Sequence, residues 1–419
     1  MKKFRISHIV LFLHFLSHIG LAQEQDYSSI DSHALNAPAS LKSNPRELAV
    51  YLTRPAKNDF QKIRAIFRWV TNNIDYDVDA YFSGKELYKS PEDALSSGKA
   101  VCDGYSGVVK MLADFAGLEV VKISGYSKGY GYNVGDSPGS PNHAWNAVKI
   151  NGKWYLFDST WGAGAVGNSG SYQRKFEEFY FLTPAEFFIY DHFPEDPQWQ
   201  LLENRLSKES FSNLPYLRPR FFNTKLNITE SLSAVNKTSK NLRLEISAPQ
   251  NVLITTSLLD DKESNLDDFV FIQREDDKFL VDVVFPAKGK YNLRIYSKFA
   301  HEEGNYDWAA DYGFIAIDGM QNFLGFPTRY EKFNTSGGIL YSPSQKTLTI
   351  NRSYNFRIKV PGAEKVAVII NDQFYFLKPM KDGSQIFHGD IKISGENIMV
   401  GANYGSGNTF EGLLNFTAK

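Results

Sequence analysis

The first half of the chain alternates between helical and extended hydrophobic periods. After Asn58, which can cap a helix, apolar residues recur every three or four positions, so the pattern predicts a helix with one buried face. A second helix is predicted from Ser90 to the break at Gly98, and a third from around Cys102 to Gly117. The apolar positions of the first helix are Phe60, Ile63, Phe67, Val70 and Ile74.

Extended segments follow at 119–125, 143–150 and 153–158, and Asn151-Gly152 joins the last two as in a tight hairpin. If the turn has two residues, the numbers of each cross-strand pair add up to 303. This register puts His143 opposite Thr160 and Trp145 opposite Asp158. His143 and Asp158 are then diagonal neighbours on one face of the sheet. A one-residue slip would separate them.

From about residue 219 the pattern changes to short β-type segments separated by Gly, Pro, Asn and Asp. Segments at this spacing predict two β-sandwich domains, at 219–318 and 319–419, after an α+β domain at 58–218. Residues 23–57 are polar and contain Pro45 and Pro55, and we interpret them as a leader. The β-type segments include Leu242–Ile246, Phe269–Ile272, Leu280–Val284, Tyr291–Tyr296, Tyr354–Val360, Lys365–Ile370 and Leu413–Thr417.

The amino-terminal residues have the pattern of an export signal. Lys2, Lys3 and Arg5 precede an apolar stretch that ends in small residues, so we expect residues 1–22 to be removed. The alternative is an amino-terminal membrane anchor. No later segment is apolar for long enough to span a bilayer, so we expect the mature chain to have no transmembrane segment and to be secreted, periplasmic or on the cell surface.

Charge and cysteine content narrow the function classes. Lys and Arg total 46 and Asp and Glu total 47, and the absence of a basic run argues against a nucleic-acid partner. The hydrophobic content of 42% allows a packed core. With one cysteine, the chain cannot form an intrachain disulfide, although exported proteins often do. The lone thiol therefore requires an explanation, and the alternative to a reactive group is a buried apolar residue.

Cys102 lies at a predicted helix start, where free amide groups and the helix dipole favour a thiolate. A nucleophilic thiolate also needs an imidazole that shares its proton and an acceptor that orients the imidazole. The hairpin supplies both groups in His143 and Asp158. The alternatives are that His143 is a surface-loop residue and that Asp158 only caps a turn.

Three segments carry a family resemblance: Gly98-Lys-Ala-Val-Cys102-Asp-Gly-Tyr-Ser, Asn142-His143-Ala-Trp-Asn and Trp154-Tyr-Leu-Phe-Asp158-Ser-Thr-Trp-Gly. They resemble the catalytic blocks of the transglutaminase-like superfamily, which includes transglutaminases, peptide N-glycanases and bacterial cysteine proteases. The resemblance covers about residues 58–205. It implies a papain-like transglutaminase core, followed here by the two β-sandwich (Ig-like) domains, and a catalytic triad of Cys102, His143 and Asp158.

Further segments are similar to the kyphoscoliosis-peptidase and cytokinesis-protein branch of that superfamily. Some members of the branch have lost triad residues and act as scaffolds, whereas this chain retains all three. The similar segments are Arg68-Trp69-Val70, Asn73-Ile74-Asp75-Tyr76-Asp77, Tyr180-Phe181-Leu182-Thr183-Pro184, His192-Phe193-Pro194 and Trp199-Gln200-Leu201.

The resemblance implies a cysteine-dependent amide hydrolase or acyl transferase that works through a thioester acyl-enzyme, and the amino-terminal pattern implies that it is secreted. We expect a peptide or protein substrate in extracellular or cell-envelope material, with protease activity first and no cofactor or metal. The loop 127–142 would line or gate the cleft, unless it is a flexible connector. The alternative function is a non-catalytic secreted binding or scaffold protein.

Overall fold

A computed structural model of the chain describes residues 26–85, 89–167, 169–405, 407 and 409–419. The predicted export signal at 1–22 lies outside the described residues. The chain divides into two compact units. The first contains the described residues up to Tyr132 together with Ser137–Phe211, and the second contains Asn133–Asp136 and Ser212–Lys419.

The three predicted helices are confirmed as Asp59–Asn73, Pro91–Ser97 and Cys102–Phe115. The capping logic also holds, because Asn58 Oδ1 accepts a hydrogen bond of 2.9 Å from the backbone N–H of Gln61. The helical segments up to residue 213 are Ser28–Leu35, Ala39–Ser43, Pro45–Thr53, Asp59–Asn73, Val78–Ser83, Pro91–Ser97, Cys102–Phe115, Ser159–Ala163, Glu178–Tyr180, Ala185–Phe188, Pro197–Gln200 and Lys208–Asn213.

The segment interpreted as a leader contains three helical elements. Its last helix, Pro45–Thr53, starts at Asn44, whose side chain caps the first turn. Leu48, Ala49 and Leu52 of this helix are fully buried in the core of the first unit. No element was predicted here because the polar positions and prolines of the segment obscure its short apolar face.

The first unit contains a four-stranded antiparallel sheet in the order Lys153–Phe157, His143–Ile150, Glu119–Ser127, His192–Pro194. The predicted hairpin register is confirmed from Ile150↔Lys153 to Asn146↔Phe157. Its predicted extension to Trp145 and His143 is wrong, because the second strand ends at Phe157. Thr160 lies instead in the helix Ser159–Ala163.

The helix Cys102–Phe115 packs against this sheet. Its face of Val108, Val109 and Leu112 lies in the core cluster with Val120 and Val148 of the strands. Polar contacts add precision, since the buried Asn146 amide donates to Ser106 O at 3.1 Å and to Val121 O at 3.2 Å. These contacts therefore fix the position of the helix start relative to the strand that begins with His143.

The second unit is built from β-strands, as predicted, and each predicted β-type segment overlaps a strand, although Phe269 and Val360 lie just outside theirs. Its strands form two pairs of sheets, the first ending at Ala316 and the second beginning at Thr328. In the first pair, one sheet has the strand order Asn227–Ile228, Asn241–Ser247, Lys278–Val284, Val270–Glu275, and the other has the order Val235–Thr238, Asp307–Ala316, Gly289–Phe299, Val252–Asp260. In the second pair, one sheet has the order Thr328–Arg329, Glu411–Ala418, Asn397–Asn403, Lys365–Ile370, Gln373–Phe376, and the other has the order Ile339–Ser342, Ser353–Lys359, Ile386–Lys392, Lys378–Pro379.

Smaller elements complete the second unit: the strands Tyr216–Leu217 and Thr347–Leu348 extend two of the sheets, and the short helices are Pro219–Asn223, Asp267–Phe269 and Glu331–Thr335. None of the helices in the described ranges is long and apolar enough to cross a bilayer.

Candidate functional site

Asp158 lies where the second hairpin strand ends and the helix Ser159–Ala163 begins. Its Oδ1 accepts hydrogen bonds from the backbone N–H groups of Thr160, at 2.7 Å, and Trp161, at 3.2 Å. Asp158 therefore does act as a cap, but capping is not its only role, since its other oxygen has partners of its own. Capping uses only Oδ1, so Oδ2 can accept hydrogen bonds from side chains of the neighbouring strands.

His143 opens the neighbouring strand and uses that second oxygen. Its Nε2 donates to Asp158 Oδ2 at 2.8 Å, and both side chains are buried. The interpretation of His143 as a surface-loop residue is therefore wrong. The hydrogen bond fixes the ring orientation and leaves Nδ1 as the nitrogen free to exchange a proton with a third group.

The electrostatics of this pair favour the ionic form. Burial alone would lower the pKa of His143, but attraction to Asp158 and Cys102, together with hydrogen bonds to both, raises that pKa well above its ordinary value. Burial would likewise raise the pKa of the Asp158 carboxyl, yet His143 and His192 hold it well below its ordinary value. A buried cation is thus stabilised beside the carboxylate.

Cys102 is the first residue of the helix Cys102–Phe115, and its side chain is partly exposed. The interpretation as a core residue sealed from solvent is therefore wrong. Val101, which precedes the helix, offers no side-chain acceptor to the amide groups of the first turn. Cys102 contributes to the raised pKa of His143, so the thiol lies within electrostatic range of the imidazole.

His192 is a site residue that sequence analysis did not select. It is fully buried, and its Nε2 lies 3.1 Å from Asp158 Oδ2, the same oxygen that binds His143. Its Nδ1 lies 2.6 Å from Asp191 Oδ1. The sequence signal was the segment His192-Phe193-Pro194, which supported only the family resemblance because nothing in the local pattern pairs it with the hairpin.

The side chains of His143, Asp158 and His192 offer three ligand atoms within 4.8 Å of one another, a grouping that can hold a metal ion. Sequence analysis named no such cluster, because the two histidines lie far apart along the chain. However, both Nε2 atoms lie at hydrogen-bonding distance from a single carboxylate oxygen, at 2.8 and 3.1 Å. Hydrogen bonds therefore account for the arrangement.

Three aromatic side chains of the first unit form an exposed group. Tyr81, Phe82 and Tyr130 are 39%, 54% and 50% exposed, and their ring centroids lie 5.3 to 6.4 Å apart. Burial raises the pKa of the Tyr81 hydroxyl, and the charge of Cys102 adds to this shift, so Tyr81 lies within electrostatic range of the thiol. We call these three residues the aromatic group.

Comparison with protein-family models identifies two domains. Residues 46–159 match the transglutaminase-like superfamily, and residues 208–327 match the KY-like, immunoglobulin-like domain. The fold is therefore a transglutaminase-like core followed by β-sheet domains, as predicted. The first match begins inside the segment interpreted as a leader, in agreement with the buried helix Pro45–Thr53.

Individual relatives point to the same branch. The chain is 34% identical to mouse kyphoscoliosis peptidase over 275 residues, which is 65% of this chain and 40% of that protein. It is 32% identical to the Lim and transglutaminase domain protein ltd-1 of Caenorhabditis elegans over 218 residues, 49% of this chain and 30% of that protein. This chain thus spans less than half the length of these relatives.

A solved structure of a candidate cysteine protease from Cytophaga hutchinsonii is also similar, at 21% identity and a TM-score of 0.23. The similarity covers 34% of this chain and 45% of that one.

Proposed function

Because this chain carries a transglutaminase-like domain of the branch that includes kyphoscoliosis peptidase, we propose that it is a cysteine-dependent amide hydrolase or acyl transferase. One observation carries the proposal. His143 is held by Asp158 through Nε2 and interacts with the chain's only thiol, which lies partly exposed at a helix start. This is the arrangement that nucleophilic thiol catalysis requires.

In the proposed reaction, the Cys102 sulfur attacks the carbonyl carbon of an amide and forms a tetrahedral oxyanion. The C–N bond then breaks, the His143 imidazolium gives its proton to the leaving amine, and a thioester remains on Cys102. His143 next takes a proton from water or from an amine, which attacks the thioester and releases the acid or the new amide. Hydrolysis and transfer differ only in this second nucleophile.

The oxyanion would be stabilised by the start of the helix Cys102–Phe115. The backbone N–H of Cys102 belongs to the first turn, whose unpaired amide groups and dipole favour negative charge. Asp158 would keep the imidazole in the tautomer that places its free nitrogen toward the sulfur. Each of the three residues therefore has a separate role in one acyl-transfer cycle.

We further propose that the substrate is a peptide or a protein glutamine side chain, in extracellular or cell-envelope material, with hydrolysis as the main outcome. The exposed aromatic group supports a peptide substrate, because it offers apolar surface and its member Tyr81 interacts electrostatically with Cys102. Export rests on the amino-terminal sequence pattern alone.

A non-catalytic binding protein is the second candidate. The observation that favours it lies in the second unit, where Phe374 and Phe376 are 45% and 58% exposed on the edge strand Gln373–Phe376. Exposed apolar patches of this kind often mark interaction surfaces. In that case the β domains would carry the function, and the thiol would turn nothing over.

A peptide-library assay with and without an added primary amine separates these candidates. The enzyme is expected to release acid products without amine and amide products with it, and Cys102→Ala should abolish both. Rapid alkylation of Cys102 in the folded protein at neutral pH should accompany turnover. Turnover that survives Cys102→Ala would sink the proposal. Alkylation only after unfolding, with no turnover, would support the binding protein.

A further inference from the structure

We propose that His192 is a positioning residue for the reaction. Held as an imidazolium by Asp191, it fixes the Asp158 carboxylate and thereby sets how strongly His143 retains its proton. The inference rests on the proposed function for its catalytic meaning. Its structural content, the charged state of His192, can be measured separately.

The contacts of the ring require two N–H donors. Nδ1 faces Asp191 Oδ1 at 2.6 Å and Nε2 faces Asp158 Oδ2 at 3.1 Å. A neutral imidazole carries one N–H, so its other nitrogen would present a lone pair to a carboxylate oxygen. The ring is fully buried, where such a repulsive contact is not relieved by water. An imidazolium satisfies both contacts.

The groups packed around His192 hold its ring in place. Phe188 stacks on it at 4.0 Å, and the rings of Trp161 and Trp145 lie 4.5 and 5.0 Å away. The backbone of His192 is paired with Ser127 in the sheet. These contacts leave the imidazole no room to turn away from the two carboxylates.

The titratable groups around the His192 ring are Asp158, His143, Asp191, Tyr180 and Lys128. Tyr180 donates from its hydroxyl to Asp191 Oδ2 at 2.9 Å, so both oxygens of Asp191 have a donor. Lys128 is buried nearby, and burial lowers its pKa to about 7 although Asp191 opposes this shift. The opposite charges of the Asp191 carboxylate and the His192 imidazolium cancel, which lowers the free-energy cost of burying the imidazolium.

The Asp158 carboxylate accepts four hydrogen bonds. Oδ1 is bound by the N–H groups of Thr160 and Trp161, and Oδ2 is bound by both histidines. The carboxylate therefore cannot rotate. Because a second cation donates to Oδ2, the attraction left for His143 is weaker than in a lone Asp–His pair, and His143 gives its proton more readily to a leaving amine.

Removing the charge of His192 should therefore change the kinetics in a defined way. In His192→Gln, which keeps an N–H donor, the alkaline limb of the kcat/KM profile should move to higher pH, because Asp158 then holds the proton of His143 more tightly. We expect kcat to fall by up to about a hundredfold, with KM nearly unchanged, because His143 is a weaker and less well placed acid. His192→Leu, without a donor, should lose more.

His33→Gln is the matched control. His33 lies in the same unit but takes no part in the site, and its Nε2 lies 2.8 Å from the backbone oxygen of Tyr51. Its profile should match that of the wild type. An unchanged profile in His192→Gln overturns the proposal, as does tight metal binding by the wild type that this variant loses.

A spectroscopic test does not depend on turnover or on how the variants fold. In wild-type protein labelled with 15N-histidine, the His192 ring, assigned by its proximity to Phe188, should carry protons on both nitrogens, because each nitrogen faces a carboxylate oxygen. One protonated nitrogen overturns the proposal. If the wild type cleaves or transfers no amide but this signature is present, the proposed function fails while the charged state of His192 stands.

Discussion

Nε2 of His143 lies 2.8 Å from Oδ2 of Asp158, and the two residues are fifteen positions apart in the chain. The hairpin brings them together because His143 begins one strand and Asp158 follows the end of the other. Both side chains are shielded from water, so their attraction is screened little. The pair therefore matters to folding as well as to chemistry, and the two effects can be separated by mutation.

Replacing Asp158 by Ala should destabilise the first unit strongly. The change removes the partner of a buried cation, which typically costs about 3–5 kcal/mol, and also a helix cap worth about 1 kcal/mol. Urea unfolding measures the loss. Asp196→Ala is the control, because Asp196 caps Pro197–Gln200 from an exposed position without a histidine partner. Equal losses in the two variants would contradict the assignment of a buried ion pair.

The stabilisation by this pair should depend on pH in two directions. The pKa of Asp158 is lowered on folding, so its contribution is present above the ordinary value of 3.8 and is lost as the pH falls through the folded value. The pKa of His143 is raised, so its contribution is present below the ordinary value of 6.5 and is lost as the pH rises through the folded value.

The difference in unfolding free energy between wild type and Asp158→Asn should therefore be largest at about pH 4 to 7 and shrink on either side. Urea titrations across this range provide the measurement. A difference that keeps growing in acid would show that the carboxyl is protonated in the folded protein.

The hairpin shows how far sequence reasoning reached. Asn151-Gly152 determined the register of five pairs correctly, because a two-residue turn leaves one way to pair the strands. The prediction failed beyond Phe157, where Asp158 caps a helix instead of continuing the strand. The same-face argument for His143 and Asp158 thus led to a real contact through a different local geometry.

His192 shows where sequence reasoning stopped. Its strand pairs with Glu119–Ser127, far away in sequence, and such a pairing has no local signature. The buried helices at 28–53 were missed for a related reason, since Arg64, on a distant helix, supplies the charge that holds Asp31 in place. Tertiary contacts of this kind override the polar composition that suggested a leader.

Arg64 should be essential to the stability of these amino-terminal helices. Its guanidinium binds both oxygens of Asp31 at 2.7 Å and also contacts Glu178, and these bonds outweigh burial to raise its pKa. We expect Arg64→Met to lower the unfolding free energy by about 3 kcal/mol and to speed proteolysis within 26–57.

The exposed pair Lys62–Asp59 provides the control for this prediction, and Lys62→Met should change the unfolding free energy by less than about 1 kcal/mol. Proteolysis within 26–57 that is equally fast in wild type and Arg64→Met would show that Arg64 does not fasten these helices.

The aromatic group should set the preference for substrate side chains. Phe82→Ala and Tyr130→Ala remove apolar surface from this group, so KM for peptides with an apolar residue near the scissile bond should rise about tenfold, equivalent to about 1.4 kcal/mol each. Peptides with small polar residues should be affected less. Phe376→Ala, which removes a comparably exposed ring from the second unit, should leave KM unchanged for both classes. Equal effects of all three variants would rule out a subsite.

The backbone at Asn151 and Gly152, with φ of +51° and +81°, gives the hairpin tip a conformation that few residues adopt. Surface turns usually tolerate insertions, but here one added residue would shift every cross-strand partner and could carry Asp158 away from His143. Chains of this type that keep a working site should therefore vary in loop length elsewhere and retain a two-residue tip. Turn length offers a criterion for sorting active from inactive relatives that does not require inspection of the site itself.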